Sequence, residues 1–453
     1  MRIFSSLFLI STASAFKRKT PETNHENAKF EIEPRFVGTE LFSYPNKLMR
    51  SIEKCCRDPN YISCSEISLN FDSFDPETLN RISVDGIELE FERRVPPNGF
   101  VYMSKKGDEA MFSYNKETGH LFGDISSHDG RTLEIESCHN SHVIKEVDVG
   151  HLKNDYVTVP ESVLANVSSR AAYNWDGDTS TQVSFSVMFY YTEEFEAITA
   201  DIEGFINQIM DLTNEGFRKS NIPIQVELFC IEKATLTDAE ADYDLEAFRN
   251  MKGSPSATLN SADAATMLVA HSDHYCGVAY LHPAYADWVF SYNVKSCVAN
   301  YVVGHELGHN FGCHHDREST GGQNWVDDAG FGHYIEPGNG RGGARTIMAY
   351  RKTGYSQRAN QYSNPEVIYS WTGTPTGTDN ETNNAALIMK NRKAMADNGD
   401  ESGVCQSRPT TSTTTATTTT ATTSTSTTTT KPTSTTTTTT TSTTTTAPGR
   451  LKF

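Results

Sequence analysis

The sequence predicts an α/β layered domain that lies between a mainly β region and a threonine-rich tail. Short alternating apolar and polar segments recur through residues 16–178, whereas apolar strands alternate with amphipathic helical patterns over residues 180–405. Residues 408–447 are almost all Thr, Ser, Ala and Pro. Alternating strands and helices are typical of layered α/β domains. We therefore predict four segments, with boundaries at 1–15, 16–178, 179–407 and 408–453.

The N-terminus has the pattern of a secretory signal peptide. Arg2 precedes an apolar run over residues 3–10, and Ala13-Ser14-Ala15 resembles a cleavage site. A buried N-terminal helix is the alternative interpretation. The run is too short to span a membrane, and no other stretch is long and apolar enough. We therefore expect a soluble, secreted monomer without a transmembrane segment.

The formal net charge of −18 excludes some classes of partner. An acidic protein is repelled by nucleic acids and by anionic membranes. We expect neither as a partner.

Residues 16–178 contain segments with strand periodicity, such as 87–92 and 132–136, separated by Gly, Asn and Asp turns. This pattern predicts a mainly β domain. From residue 183 onward, strands and helices alternate. The predicted strands are Val183–Tyr191, 222–231 and 276–281, and the predicted helices are 195–212, 264–270, 298–311 and 385–396.

Residues 305–315 fit the pattern H-E-x-x-H-x-x-G-x-x-H, a signature of zinc proteases. His305 and His309 share one helix face, so both imidazoles can reach one ion. Gly312 can end the helix and let the chain return His315 as a third ligand. Three protein ligands leave one position for water, which predicts a catalytic rather than a structural zinc site. A helix with ordinary surface histidines is the alternative.

The extended motif ending in His315-Asp316 resembles the metzincins, and Asp316 points to their adamalysin (reprolysin, ADAM-type) branch. Thr346-Ile347-Met348-Ala349-Tyr350 is similar to the Met-turn, whose Met348 side chain would lie beneath the zinc histidines. Segments at 275–281, 296–297, 362–365, 375–377 and 383–385 are similar to the same group. The resemblance covers about residues 180–405. It implies a metzincin-type catalytic domain with a twisted mixed sheet.

This resemblance implies one catalytic Zn²⁺ on His305, His309 and His315, with Glu306 as the general base. Tyr350 could hydrogen-bond the oxyanion, or it could belong to the core. The strand at Gly277, Val278 and Ala279 resembles the edge strand that aligns the substrate in antiparallel fashion, and an interior strand is the alternative. No pattern indicates calcium, whose binding is left open.

The family is usually made with an inhibitory propeptide, and residues 16–178 occupy that place. In many relatives a propeptide cysteine caps the zinc, and Cys138 is the best-placed candidate. The alternative is a disulfide between Cys138 and Cys55, Cys56 or Cys64. Propeptide cleavage could follow Arg170.

The chain has nine cysteines, so an oxidised protein keeps at least one thiol. The resemblance implies a Cys276–Cys297 disulfide. We also guess at a Cys313–Cys405 pair that leaves Cys230 over.

Asn166 and Asn380 begin glycosylation sequons, and the Thr-rich tail is typical of a mucin-like stalk. The tail could retain the protein at a cell surface or wall through its sugars. We therefore predict a secreted zinc endopeptidase of proteins or peptides, made as a zymogen. The alternative is a catalytically silent metzincin-like adhesion glycoprotein on a mucin-like stalk, although such a protein does not need Glu306.

Overall fold

The computed structural model describes residues 39–405 with several gaps. The gaps are at 46–52, 54, 72–73, 77, 97, 149, 151–152, 160–177, 242–243, 282–285, 323–326, 401 and 404. The predicted signal peptide, Asn166, Arg170 and the threonine-rich tail lie outside the described residues. Among the residues described, no helix has the length and apolar character needed to cross a bilayer.

The N-terminal region, residues 39–147, forms a ten-stranded sheet with the order β1-β4-β5-β6-β7-β8-β9-β10-β3-β2. Its neighbours pair antiparallel except β1 with β4. The sequence predicted these strands from their alternation, as at 87–92 and 132–136. The strands are β1 (Thr39–Glu40), β2 (Phe42–Ser43), β3 (Tyr61–Leu69), β4 (Arg81–Val84), β5 (Ile87–Val95), β6 (Gly99–Met103), β7 (Glu109–Asn115), β8 (His120–Ser126), β9 (Thr132–Cys138) and β10 (Ser141–Val147).

A second sheet of six strands has the order β11-β15-β16-β14-β12-β13. All neighbouring pairs are parallel except β15 with β16, so the sheet is mixed. Its strands are β11 (Lys153–Thr158), β12 (Val183–Tyr191), β13 (Ile224–Lys233), β14 (Ala264–Val269), β15 (Tyr275–Leu281) and β16 (Phe290–Val294).

Helices and short strands surround the second sheet. The α-helices are α1 (Glu193–Ile198), α2 (Ile202–Lys219), α3 (Asp238–Ala241), α4 (Leu245–Arg249), α5 (Pro255–Leu259), α6 (Val302–Asn310) and α7 (Asn384–Ala396), and 3-10 turns cover Ala286–Trp288 and Lys295–Asn300. The short strands are β17 (His314–Asp316), β18 (Phe331–Gly332), β19 (Tyr334–Ile335), β20 (Ala344–Arg345), β21 (Gln357–Arg358), β22 (Ile368–Tyr369) and β23 (Thr374–Pro375).

One predicted element has the wrong type. Residues 264–270 were expected to be helical, but they form β14, which lies between β12 and β16 with every residue buried. A short apolar run buried on both faces carries no period that separates a strand from a helix. Strand β16 and helices α3, α4 and α5 were not predicted, and the single helix predicted over 195–212 is divided into α1 and α2.

Helix α2 links the two sheets. Asp201 caps its N-terminus by accepting a hydrogen bond from the Gly204 N–H at 2.8 Å. One face packs on β13, and the opposite face contacts β7 and β8 of the N-terminal region. On that second face, Asp211 accepts a hydrogen bond from Ser113 at 2.5 Å, and Glu215 pairs with Arg93.

A second buried contact joins the regions beside the active-site helix. The Lys295 ammonium lies 2.8 Å from a Glu136 carboxylate oxygen, and both side chains are fully or almost fully buried. The same carboxylate group lies 2.7 Å from the ammonium of Lys145. Because a buried charge is costly without its partner, the Lys295–Glu136 pair holds the N-terminal region against the rest of the molecule.

The cysteine pairing corrects two expectations. Cys138 ends β9 and is bonded to Cys55, so it has no thiolate for a metal, and the proposed cysteine switch at Cys138 is wrong. Cys405 pairs with Cys230, which leaves Cys313 as a buried thiol, so the guessed Cys313–Cys405 bond is wrong as well. The remaining disulfides are Cys56–Cys64 and Cys276–Cys297, the second of which the resemblance implied.

Candidate metal centre and active site

Helix α6 presents the first part of the motif and ends where the sequence predicted. Gly312 has a φ of 94°, which glycine adopts without a steric cost. The Gly312 N–H donates to the His309 carbonyl at 2.8 Å, and the Cys313 N–H donates to the Gly308 carbonyl at 2.9 Å. These hydrogen bonds close the helix and turn the chain back. The next residues form β17, which carries His315 to the helix face.

The three motif histidines converge on one point. The Nε2 atoms of His305, His309 and His315 lie 3.0 to 3.1 Å from one another. The Nδ1 atoms of His305 and His309 each lie 2.8 Å from a backbone carbonyl, of Ile347 and Cys313 respectively. Those carbonyls fix the protons on Nδ1, so the facing Nε2 atoms of these two rings carry lone pairs.

This nitrogen cluster fits a zinc ion. Ligands about 2.0–2.1 Å from a tetrahedral zinc stand about 3.3 Å apart, close to the observed spacing. Three lone pairs facing one another repel unless a cation lies between them. All three rings are buried, and burial lowers the pKa of His309 to about 3 and those of His305 and His315 well below their usual value. The imidazoles are therefore neutral at physiological pH, as metal ligation requires.

Glu306 follows the first histidine and is fully buried on α6. Its side chain lies against β15 at Gly277, where an added β-carbon would stand 2.7 Å from Glu306 Oε1 and 2.8 Å from Val302 Cγ2. The glycine at 277 therefore makes room for the glutamate.

Met348 lies directly beneath α6. The Ala349 N–H donates to the Thr346 carbonyl at 3.0 Å, which closes a tight turn around Met348. The Met348 side chain is fully buried, and a β-carbon added at Gly308 would lie 2.5 Å from its sulfur. Met348 therefore packs against the helix that carries His305 and His309, and its assignment as a Met-turn stays a prediction.

This contact predicts the effect of one substitution in α6. We expect Gly308→Ala to destabilise the protein by about 1–3 kcal/mol, because the new methyl group overpacks a buried site. Gly304→Ala in the same helix is the matched control, since its nearest atoms lie 3.6 and 3.9 Å from the new β-carbon. The control should be neutral or stabilising by up to about 1 kcal/mol through helix propensity. Urea unfolding of both variants measures the difference, and equal stabilities would contradict the packing argument.

Tyr350 lies beside the third ligand. Its ring centroid is 4.2 Å from that of His315, and its N–H donates to Asp316 Oδ2 at 3.1 Å. Asp316 therefore ties the Met348 turn to the strand that carries His315. The half-buried Tyr350 side chain borders the metal centre, and its role with an oxyanion stays a prediction.

The neighbouring histidines lie outside the cluster. His314 stacks on Phe331 and accepts a hydrogen bond from the His315 N–H at 2.9 Å. His333 lies 3.0 Å from the Thr382 hydroxyl, and His271 and His274 are exposed. Asn380 is exposed too, as a glycan acceptor must be, and its modification stays a prediction.

The predicted edge strand is covered in this chain. Strand β15, with Gly277, Val278 and Ala279, pairs antiparallel with β16 on one side and parallel with β11 on the other. β11 comes from the segment that precedes the protease-like region. Its Tyr156 ring lies 5.4 Å from the rings of both His309 and His315. Tyr156 was not predicted as a site residue, because nothing in the sequence around a single tyrosine in a short strand indicates that its ring lies beside the histidines.

Arg345 and Arg358 are two further residues that the sequence analysis missed. They lie on the paired strands β20 and β21, and both are buried. Arg358 Nη1 donates to the Asn300 carbonyl at 2.8 Å, and Nη2 lies 2.9 Å from His305 Nδ1. The Ile347 carbonyl accepts hydrogen bonds from both His305 Nδ1 and Arg358 Nη2. Arg358 therefore helps to fix the first histidine of the cluster.

Three buried imidazoles with a glutamate beside the first form the arrangement of a hydrolytic metalloenzyme. Residues 181–363 match the family model Reprolysin_5, Metallo-peptidase family M12. A peptidyl-Asp metalloendopeptidase of Stenotrophomonas maltophilia (strain K279a) is 25% identical over 283 residues, which cover 59% of this chain and 66% of the relative. The enzyme of the same name from Xanthomonas campestris pv. campestris is 23% identical over 270 residues, which cover 56% of this chain and 62% of the relative. These matches support a metallopeptidase family for this chain, which spans just under two thirds of the length of the two relatives.

Two solved structures show weaker likeness. Metalloproteinase-II from Bacteroides fragilis has a TM-score of 0.31 at 13% identity, covering 52% of this chain and 75% of its own. A chain of a chaperone-substrate complex has a TM-score of 0.38 at 15% identity, and the match covers 66% of this chain and 42% of the other. Both likenesses are too low to carry a conclusion about this chain.

Proposed function

We propose that this protein is a secreted zinc endopeptidase of the adamalysin (reprolysin) branch, made as a zymogen. The observation that carries the proposal is the convergence of three neutral, buried Nε2 atoms within 3.1 Å, with Glu306 on the same helix. The name of the relatives ties their activity to peptidyl-Asp bonds. We therefore include acidic residues among the preferred features of the substrate.

The chain's own residues have separate tasks in hydrolysis. His305, His309 and His315 would hold the ion. A bound zinc would polarise the scissile carbonyl and acidify a water molecule. The Glu306 carboxylate would accept a proton from the attacking water and deliver it to the leaving amine. Once β11 leaves, the free edge of β15 offers backbone hydrogen bonds to an extended substrate.

Latency is supported by the position of β11. The strand covers the edge of β15, and its Tyr156 lies over the rings of His309 and His315. The N-terminal region is further held by the buried Lys295–Glu136 and Arg93–Glu215 pairs. With Cys138 in a disulfide, we propose that strand pairing and Tyr156 restrain the site. The adhesion alternative is not favoured, because the three clustered histidines and Glu306 beside the first of them are all present.

Metal removal tests the enzymatic proposal. We expect the secreted protein to hold one zinc per chain by elemental analysis and to hydrolyse peptides. A chelator should abolish hydrolysis, and added Zn²⁺ should restore it, because three neutral imidazoles alone activate no water. His309→Gln should lose both zinc and activity while keeping its circular-dichroism spectrum. Hydrolysis that survives complete removal of the metal would contradict the proposal.

A further inference from the structure

A cavity of about 240 Å³ lies beside the metal centre and is lined by basic side chains. Arg345, Arg351 and Arg358 contribute to its wall together with Tyr301, which precedes helix α6. Arg345 and Arg358 are each only 6% exposed. In the unprocessed chain, residues of the N-terminal region form the other wall, and the two buried guanidinium groups belong to the wall that stays when this region leaves.

Among the described residues, no carboxylate lies within ion-pair distance of either buried guanidinium, although the charge of Glu306 acts on Arg358. Arg345 Nη1 donates to the carbonyls of Tyr355, at 3.1 Å, and Ser356. Arg358 binds carbonyls through both terminal nitrogens, and its Nε has no hydrogen-bond partner. Among the ion pairs of the described residues, none joins a carboxylate to Arg345 or Arg358.

The electrostatics of the pocket favour an anion. Burial, followed by the charges of Arg358 and Arg351, lowers the pKa of Arg345 well below its usual value. Burial also lowers the pKa of Arg358 to about 10, although the negative charge of Glu306 raises it. Buried cations are normally paired because their desolvation is costly. A carboxylate entering the pocket would supply the missing charge and match the planar guanidinium groups.

The position of the pocket relates it to the scissile bond. Arg358 Nη2 lies 2.9 Å from Nδ1 of the ligand His305, and the two groups share the Ile347 carbonyl. The arginine wall is thus in direct contact with the metal centre. The contact is made through Arg358 alone, on the Nδ1 side of His305, so the pocket lies near the site where a peptide bond would be hydrolysed.

The N-terminal region already presents carboxylates to this pocket. Asp129, Glu146 and Asp148 contribute to its lining. The Asp148 carboxylate lies 3.5 Å from Arg351 Nη1, where both side chains are exposed. In the unprocessed chain, acidic groups therefore lie at the same cavity as the arginines.

We propose that this cavity is the specificity subsite of the enzyme and receives the Asp or Glu side chain that flanks the scissile bond. Arg345 and Arg358 are its specificity-determining cations. The acids of the N-terminal region cover the cavity until that region leaves. This inference rests on the proposed peptidase function and adds to it the residues that select the substrate.

The test uses the active secreted protein and peptides that differ at one position. Asp, Asn, Glu and Leu are placed in turn on either side of the cleaved bond, and kcat/KM is measured for each peptide. We expect Asp to exceed Asn about tenfold or more at one of the two positions. Arg345→Gln should bring this ratio close to one. Arg218→Gln is the matched control and should keep the ratio, because the exposed Arg218 pairs with Glu215 outside the pocket.

Arg345→Lys serves as a second variant if Arg345→Gln does not fold. A lysine keeps the charge but lacks the planar fork, so the Asp/Asn ratio should fall without disappearing. Equal rates on Asp and Asn peptides at both positions of the wild-type protein would overturn the subsite alone. An undiminished ratio in Arg345→Gln would do the same. A wild-type protein that cleaves none of the peptides would overturn the proposed function as well.

Discussion

Replacing Glu306 with glutamine should lower kcat/KM for peptide hydrolysis by about 10²–10⁴-fold. Glutamine keeps the size of the side chain and its fit against Gly277, but it cannot accept the proton of the attacking water. Glu306 does not belong to the cluster of three histidines that would bind zinc, so the variant should keep its zinc. Elemental analysis and steady-state kinetics on the same preparation measure both quantities.

The matched control is Glu318→Gln. Glu318 follows the third ligand closely in sequence, but its side chain is 67% exposed and pairs with Lys352 at the surface. We expect unchanged zinc content and less than about a twofold change in rate, since exposed ion pairs contribute little. Full activity in Glu306→Gln would show that another group serves as the base. Loss of zinc in that variant would show that Glu306 is needed for metal binding. The loss of activity would then be no evidence that Glu306 transfers a proton.

The convergence of the three histidines was predictable because its geometry is local. His305 and His309 lie on one helix, and Gly312 ends that helix, so spacing alone brings the imidazoles together. His315 follows within a few residues and needs only the turn that Gly312 permits. Met348 is farther along the chain, and only the family resemblance placed it beneath α6.

Other features depend on long-range packing that no local pattern encodes. Residues 264–270 are apolar and lie at the centre of a sheet, where the strand is stabilised by β12 and β16 rather than by its own periodicity. Cys138 forms a disulfide with Cys55 because strand β9 places it beside that residue, although the two are 83 positions apart in the sequence. Arg345 and Arg358 become neighbours only when β20 pairs with β21. The sequence around each arginine is unremarkable for a surface loop.

The position of Tyr156 leads to a prediction about latency that tests strand β11 directly. In the unprocessed chain, Tyr156→Ala should raise the rate of peptide hydrolysis about tenfold or more. The half-buried ring contributes roughly 1.5 kcal/mol or more to covering the metal centre, and each 1.4 kcal/mol shifts the closed-to-open ratio tenfold. Initial rates on a short fluorogenic peptide measure the effect, with electrophoresis to verify that the chain is uncleaved.

Val157→Ala on the same strand is the matched control. The Val157 side chain is 40% exposed, whereas the Tyr156 ring lies 4.6 Å from that of His314 and 5.4 Å from the rings of His309 and His315. Both substitutions shorten a β11 side chain, but only one uncovers the histidines. We therefore expect the rate of Val157→Ala to stay near that of the unprocessed wild type. Equal rates for the two variants would mean that backbone pairing of β11 with β15 restrains the site and that the tyrosine ring adds nothing. A Tyr156→Ala rate equal to that of the processed enzyme would instead assign most of the restraint to that ring.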